Sequence, residues 1–372
     1  MESSRSDEII GRMIRRVEET AMSNPSGFPH YSDDFGRWVT TPDGDWTGGF
    51  WVGLLSLSYL ETGREEFLNW AKEWMRKLRP RIRSETVFKC FLFYYGAAVI
   101  DLLFNEKEAA DLAVEGARSL QALYNPSAGV IPLGREAEEA SSVGLSETNI
   151  DSTVAVALLC YASEKTGDQR LRETGINHAL ANVRYCVRGD GSVIQSASFN
   201  TASGEPIRRY THKGYGDNTI WGRAQAWAML GLSQAVRWAP ERGEFIEAAR
   251  RVTEWWIKNV SGDYVAFWDF NDPRIPNALK DTSATSIAAA SMLKLSRLLN
   301  EERYRDLAVR TLNSLSNYVT PVDGRDDRPP GMLTSGCYNR RIALATNNEL
   351  VWGDYYLLES LLTLKGTIKP FI

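Results

Sequence analysis

The sequence predicts an all-α fold: six helical hairpins closing into an (α/α)6 barrel, with one small β-hairpin at the rim. Three observations carry this expectation. Apolar residues recur at helical spacing in twelve segments spread over the chain. Four junctions repeat one design, in YLETGREEFLNWAKEW, ASEKTGDQRLRETGIN, VRWAPERGEFIEAARR and RLLNEERYRDLAVRTL: an apolar helix, a short polar turn, an aromatic residue or leucine, then an amphipathic helix. Turns this short make consecutive helices antiparallel neighbours. Strand-like text is scarce, so β structure has only a marginal place.

In chain order the helical segments fall near 5–22, 48–62, 65–79, 87–104, 107–123, 150–165, 168–187, 219–238, 242–260, 282–299, 301–318 and 348–364. Taken in pairs they make six hairpins, read here as a single domain over residues 1–372. An open α-solenoid is the alternative that the same pattern allows. The hairpin is expected in GSVIQSASFNTASGEPI (191–207), which alternates in polarity and turns at Ala202-Ser203-Gly204. Four irregular stretches, 30–51, 125–151, 191–221 and 269–284, each lead into an apolar helix. In a toroid such connections gather at one end. Trp46, Asp151, Trp221 and Asp281 are therefore expected at one rim, at or near helix N-termini. The stretch 125–148 is rich in Gly, Ser and Glu, and whether it forms a lid is left open.

Composition narrows the function classes. Of 372 residues, 43% are apolar and 24% charged, values of an ordinary globular protein with a large core. The formal net charge of −4 and the interspersion of basic with acidic residues exclude a nucleic-acid footprint. No segment approaches the ~20 apolar residues that span a bilayer. MESSRSDEIIGRMIRR has no apolar core, so no signal peptide and a cytoplasmic location are expected. Cys90, Cys160, Cys186 and Cys337 lack CxxC spacing and read as reduced thiols. Three histidines without HExxH spacing argue against a metal site, and no phosphate-loop, dinucleotide or GxSxG motif occurs, so neither metal nor cofactor is expected. Aromatic residues make up 11%, which suits either a packed core or platforms for sugar rings.

Candidate chemistry gathers at the expected rim. Asp151, in SETNIDSTVAVALL, stands at a helix start. It is either the N-cap or, with Asn149 as cap, a carboxyl group facing into the toroid, where burial among aromatics raises its proton affinity and makes it a proton donor. WGRAQAW sets Arg223 and Gln225 between Trp221 and Trp227. A buried arginine meets an anion, which is either a protein carboxylate or a ligand's. His212 and Lys213 precede Gly214-Tyr215-Gly216, a loop able to fold over a ligand. Asp217 is a candidate second acid, while Asp190, in a DG pair, reads as a turn residue.

DWTGGFW (45–51), ETNIDSTVAVALL (147–159), RGDGSVIQSASFN (188–200), THKGYGDNTIWGRAQAWAMLGL (211–232), KDTSATSIAAASML (280–293) and ELVWGDYYLLESLL (349–362) resemble, in collinear order, glycoside hydrolase families 88 and 105, the unsaturated glucuronyl and rhamnogalacturonyl hydrolases. The resemblance implies an (α/α)6 barrel. It also implies removal of a terminal 4,5-unsaturated uronic acid from an oligosaccharide, by protonation of C4 of the enol ether and addition of water at C5. It implies Asp151 as acid/base, Trp221 and Trp227 as stacking aromatics, Trp46 as a wall of the sugar site, and Arg223 as the family's barrel arginine. Arg223 and Lys213 are then expected to meet the substrate carboxylate, with Gln195, His212 and Gln225 also at the sugar.

Two departures from the family pattern stand out. Where the family carries a second aspartate in an HD-x-GF stretch, this chain reads TVFKCFLFYYG, with Phe88 or Lys89 at that place and no carboxylate. Gln195 stands where the family often has histidine, and Lys213 where it has glutamine. These changes keep two other readings open. One is a same-fold enzyme acting on a saturated uronyl glycoside by elimination. The other is a sugar-binding barrel without turnover.

Overall fold

The computed structural model describes residues 3–140 and 144–368; residues 141–143, within the irregular stretch 125–148, lie outside the described residues. Six helical segments are buried almost all round. They are α2 (Gly48–Thr62), the run α4 (Lys89–Phe93) to α5 (Val99–Phe104) through a π turn at Tyr94–Ala98, α7 (Ala155–Thr166), α9 (Gly222–Trp238), α11 (Thr282–Leu299) and α13 (Val351–Lys365). Six others bury one stripe only: α1 (Ser3–Met22), α3 (Glu65–Lys77), α6 (Lys107–Gln121), α8 (Gln169–Cys186), α10 (Gly243–Asn259) and α12 (Glu302–Leu315). A helix apolar on every face needs neighbours on every face, whereas an amphipathic one can face water. The first six therefore form an inner ring and the second six an outer one.

The ring closes. Each inner segment touches the next in chain order, and α13 packs on α2. Each inner segment also packs on the outer helix that follows it, except that α13 takes α1 from the other end of the chain. This is the (α/α)6 barrel expected from the hairpin pattern, and the open solenoid is set aside by the α13–α2 contact. The hairpin turns follow from cap chemistry. Gly63, Asn105, Gly167 and Asn300 each end an inner segment in the left-handed region, which Gly and Asn enter at least cost, and each is followed within a few residues by an outer helix.

The expected β-hairpin is present as β4 (Ser196–Phe199) and β5 (Pro206–Tyr210), and it gains a third antiparallel strand, β3 (Glu147–Asn149), on the free side of β4. A second hairpin, β1 (Phe28–Ser32) with β2 (Trp38–Thr41), was not foreseen. Strands of five and four residues of mixed polarity gave no alternation long enough to read. Among the described residues no helix is long and apolar enough to cross a membrane.

Candidate active site

The four irregular stretches do meet at one end of the ring. Trp221 is the N-cap residue of α9 and Asp281 that of α11; Thr47, next to Trp46, precedes α2. Asp151 lies in a 3-10 turn (Ile150–Val154) that feeds α7. Asn149, not Asp151, caps this turn: its side chain accepts from the Ser152 N–H. The aspartate is thereby freed from helix duty. Outer helix α8 clamps the turn from behind. His178 Nδ1 accepts from the Ile131 N–H at 3.0 Å, its Nε2 donates to the Ser152 carbonyl at 3.0 Å, and Asn182 donates to Ser152 Oγ and Thr153 Oγ1.

At the mouth of the inner ring lies a narrow pocket with room for about 20 Å3 of water-sized space, lined by Trp46, Phe88, Phe91, Glu138, Asp151, Lys213, Trp221, Arg223 and Trp227. The aromatic walls are joined to each other. Trp46 lies 4.8 Å from Trp352 and 5.8 Å from Phe91, and Trp227 lies 5.0 Å from Phe91, all ring to ring. Trp46 donates through its indole N–H to Tyr338 Oη at 3.2 Å.

Asp151 is 6% exposed. Gln195 Nε2 donates to its Oδ2 at 3.2 Å, and its Oδ1 has no hydrogen-bond partner among the described residues. Burial pushes the carboxyl group up to about 7; Lys213 opposes the shift and Glu139 adds to it. An acid of this kind holds a proton near neutrality, with one oxygen directed away from protein partners. Gln195 is also the hinge between Asp151 and the 211–213 loop. Its Oε1 accepts from Thr211 Oγ1 and the His212 and Lys213 amides, which fixes the orientation of the side-chain amide and leaves its NH2 for Asp151.

The two cations of the site are not equivalent. Arg223 is 1% exposed and committed to protein partners, donating to Asp281 Oδ2 at 2.7 Å, to the Cys337 carbonyl at 2.6 Å and to the Tyr338 carbonyl at 2.5 Å. It fixes the 337–338 loop against α11. Of the two readings of this arginine, the structure adopts the protein carboxylate. Lys213 Nζ faces the pocket and lies 2.7 Å from Glu138 Oε2 and 3.2 Å from Glu139 Oε1. Although burial opposes it, the charges of these two glutamates hold the ammonium above its ordinary value.

Gln195, expected at the sugar, does not line the pocket and acts on it through Asp151, and three further sequence-predicted residues do not reach it. Asp217 sits at the surface, ion-paired with Arg208 and 3.6 Å from Arg341, because the Gly214–Thr219 turn directs it outward; it is withdrawn as a second acid. Gln225 spends both ends on backbone, accepting from the Val193 N–H and donating to the Gly191 and Val252 carbonyls, so it ties the hairpin to α9 and α10. His212 Nε2 pairs with buried Glu147 at 2.6 Å and braces β3 from below the pocket. Asp190 caps its own turn through Ser192.

Of the two residues expected at the place of the family's second aspartate, Phe88 lines the pocket. Lys89 turns away to the Ile82 and Ser84 carbonyls and Ser119. Glu138, Phe91 and Tyr338 were missed in the sequence. Glu138 belongs to the irregular run REAEEASS, and Tyr338 to the loop before α13, where no periodicity marks a side chain as inward. Length of connection was the only signal available. Among the described residues no group of three or more His, Cys, Asp or Glu is arranged to hold a metal ion.

A helical barrel whose mouth sets a high-pKa carboxylic acid and a lysine among indole rings defines a carbohydrate-active enzyme of the (α/α)6 class. The chain is 32% identical to an unsaturated glucuronyl hydrolase of Bacillus sp. (strain GL1) over 353 residues, 92% of each chain. It belongs to the unsaturated glucuronyl hydrolase family, glycoside hydrolase family 88. Among solved structures, an unsaturated glucuronyl hydrolase from Bacillus sp. GL1 superposes with a TM-score of 0.89 at 29% identity over 97% of each chain. An Asp-to-Asn variant of UGL bound to dGlcA-Glc-Rha-Glc superposes with a TM-score of 0.89 at 30% identity over 96% of each chain. No protein-family model matches the chain.

Proposed function

We infer that this chain removes a terminal 4,5-unsaturated uronic acid from oligosaccharides, and that Asp151 supplies the acid/base chemistry. The observation that carries the assignment of Asp151 is its pairing of burial with a partnerless Oδ1 in an aromatic-walled pocket. Protonated Asp151 delivers its proton to C4 of the enol ether. Water adds to C5, and the carboxylate left behind takes the proton that the water gives up. The hemiketal so formed opens to a C5 ketone, which frees the C1 hemiacetal to expel the remaining sugar as an alcohol. One water is consumed and Asp151 returns to its acid form.

Trp221, Trp227 and Trp46 offer faces and edges for the ring of the uronic acid. Lys213 supplies the positive charge for its carboxylate, and Gln195 positions Asp151. Arg223 acts by holding Tyr338 and Asp281 rather than by meeting the sugar. We further propose that residues 1–372 work as one catalytic domain and that the protein is cytoplasmic, a location that its four free, buried cysteines suit.

The reaction is followed by ultraviolet absorbance. Lyase-generated unsaturated disaccharides should lose their enol-ether band on addition of the protein. No loss on any member of such a panel, together with new absorbance or sugar release from saturated uronyl glycosides, would replace hydration with elimination.

A further inference from the structure

We propose that Glu138 occupies the seat of the substrate carboxylate and acts as a built-in competitor that only an anionic sugar displaces. Two donors from separate parts of the barrel converge on its carboxylate. Lys213 Nζ, from the loop after β5, lies 2.7 Å away, and Tyr338 Oη, from the loop before α13, lies 2.9 Å away. Lys213 is flanked by the Trp221 and Tyr338 rings at 5.9 and 5.1 Å from their centroids. An ammonium and a phenol aimed at one point, between aromatic faces and beside Asp151, form a receptor for a carboxylate. Glu138 and a uronic acid bring the same chemical group to it.

The source of this glutamate is the 134–140 stretch. The stretch is bound to the backbone just ahead of Phe88: Val87 N–H donates to the Leu133 carbonyl, Glu136 N–H to the Glu85 carbonyl, and Glu85 N–H to Glu136 Oε1. Gly134 makes the approach possible. Its φ is +88°, and a Cβ there would stand 2.1 Å from the Glu85 carbonyl oxygen. Glu138 thus reaches the pocket from the strand of chain beside the residue that has lost the family's carboxylate.

Exchange conserves charge. Glu139 stays 3.2 Å from Lys213 Nζ, so a uronate that replaces Glu138 leaves the ammonium facing two carboxylates, as before. The Glu138 side chain is 30% exposed and can swing to water, whereas Lys213 at 7% cannot follow it. A neutral sugar offers no carboxylate and would leave Lys213 with one partner fewer. Glu138 by this argument sets a threshold that only a ligand carrying its own carboxylate repays, while Lys213 supplies the preference for that carboxylate. The inference rests on the uronyl reading of the pocket.

The test separates binding from turnover. Calorimetric titration with D-glucuronate, which needs no reaction, should give about tenfold tighter binding for Glu138→Ala than for the wild type, since removing a competitor raises the competent fraction. Binding of glucose should gain by no more than the same factor, since the cost of displacing the glutamate is common to both ligands. With unsaturated disaccharide, KM should fall in Glu138→Ala and in the milder Glu138→Gln. Unchanged or weaker glucuronate binding in folded Glu138→Ala would overturn the proposal, as would a drop in kcat without a drop in KM, which would make Glu138 a catalytic group. Tighter glucuronate binding without turnover of any unsaturated sugar would uphold the competitor and overturn only the proposed reaction.

Discussion

Asp151 has to be an acid at the pH where the protein works, and the surrounding residues show how that is arranged. Asn149 takes over the capping role, and burial among Trp and Phe, with the charge of Glu139, raises the proton affinity against Lys213 and the Gln195 hydrogen bond to Oδ2, which both favour the ionised form. The active form is the protonated one. Activity should accordingly fall as the pH rises through about 7, and kcat/KM plotted against pH should show an alkaline limb there. Asp151→Asn should keep the fold by circular dichroism and lower kcat by about 10²–10⁴-fold, the range of a lost general acid. An alkaline limb that survives at residual activity in Asp151→Asn would assign the limb to another group. Asp151 and the tryptophans were legible because each stands at or near the start of an apolar helical run. Glu138 was not, because its inward direction comes from Gly134 and the pairing of residues 133–136 with residues 85–87, 46 to 51 positions upstream.

Elements carry the site by being held from behind. The 3-10 turn bearing Asp151 depends on α8, whose His178 is fully buried and bridges two backbone groups. Its ring must be neutral to accept at Nδ1 and donate at Nε2, and burial pushes it down to about 4. Because the folded value lies below the unfolded one of about 6.5, the stability this group contributes is complete above pH 6.5 and is lost as the pH falls toward 4. His30, buried against Trp46 and Tyr338 and also pushed down to about 4, adds a second contribution of the same sign. His178→Phe should leave the Ile131 amide unpaired and take one of two donors from the Ser152 carbonyl, which the Ala155 N–H also reaches, and destabilise the fold by about 1–3 kcal/mol. Denaturant unfolding would show this, together with a weaker acid-side decline than the wild type and a reduced kcat. A variant as stable as wild type at pH 7 would remove His178 from this role. The helices themselves were legible to within a few residues, since each repeats one period over many positions. The β1–β2 hairpin and strand β3 were not, because strands of three to five residues show too few alternations to stand out from loop text.

The whole molecule is a ring, and a ring has to be closed. The ring closes where α13 meets α2, and α1, from the opposite end of the chain, packs on α13 beside that joint, where the polar bolt is Arg16 with Glu349 just ahead of α13. Nε donates to Oε1 at 3.1 Å and Nη2 to Oε2 at 2.7 Å, while Nη2 also reaches the Gly36 carbonyl. Glu349 is fully buried, so Arg16→Ala would strand a charge beside Asp354, whose carboxyl burial and Glu349 already raise well above its ordinary value. A loss of about 3–5 kcal/mol is expected for a broken buried pair, seen as a lower Tm and as loss of activity before global unfolding. Full retention of stability would mean that apolar packing alone closes the ring. From its sequence the protein could be read as alternating buried and half-buried helices, six hairpins and a rim of loops, because hydrophobic period and cap residues are local properties of each segment. Which side chains face one another across the mouth was decided only by tertiary structure. It made Arg223 a brace, Asp217 a surface residue and Glu138 a pocket residue, because the distance between residues far apart in sequence is set by closure of the ring, and a proton affinity by the burial that closure brings.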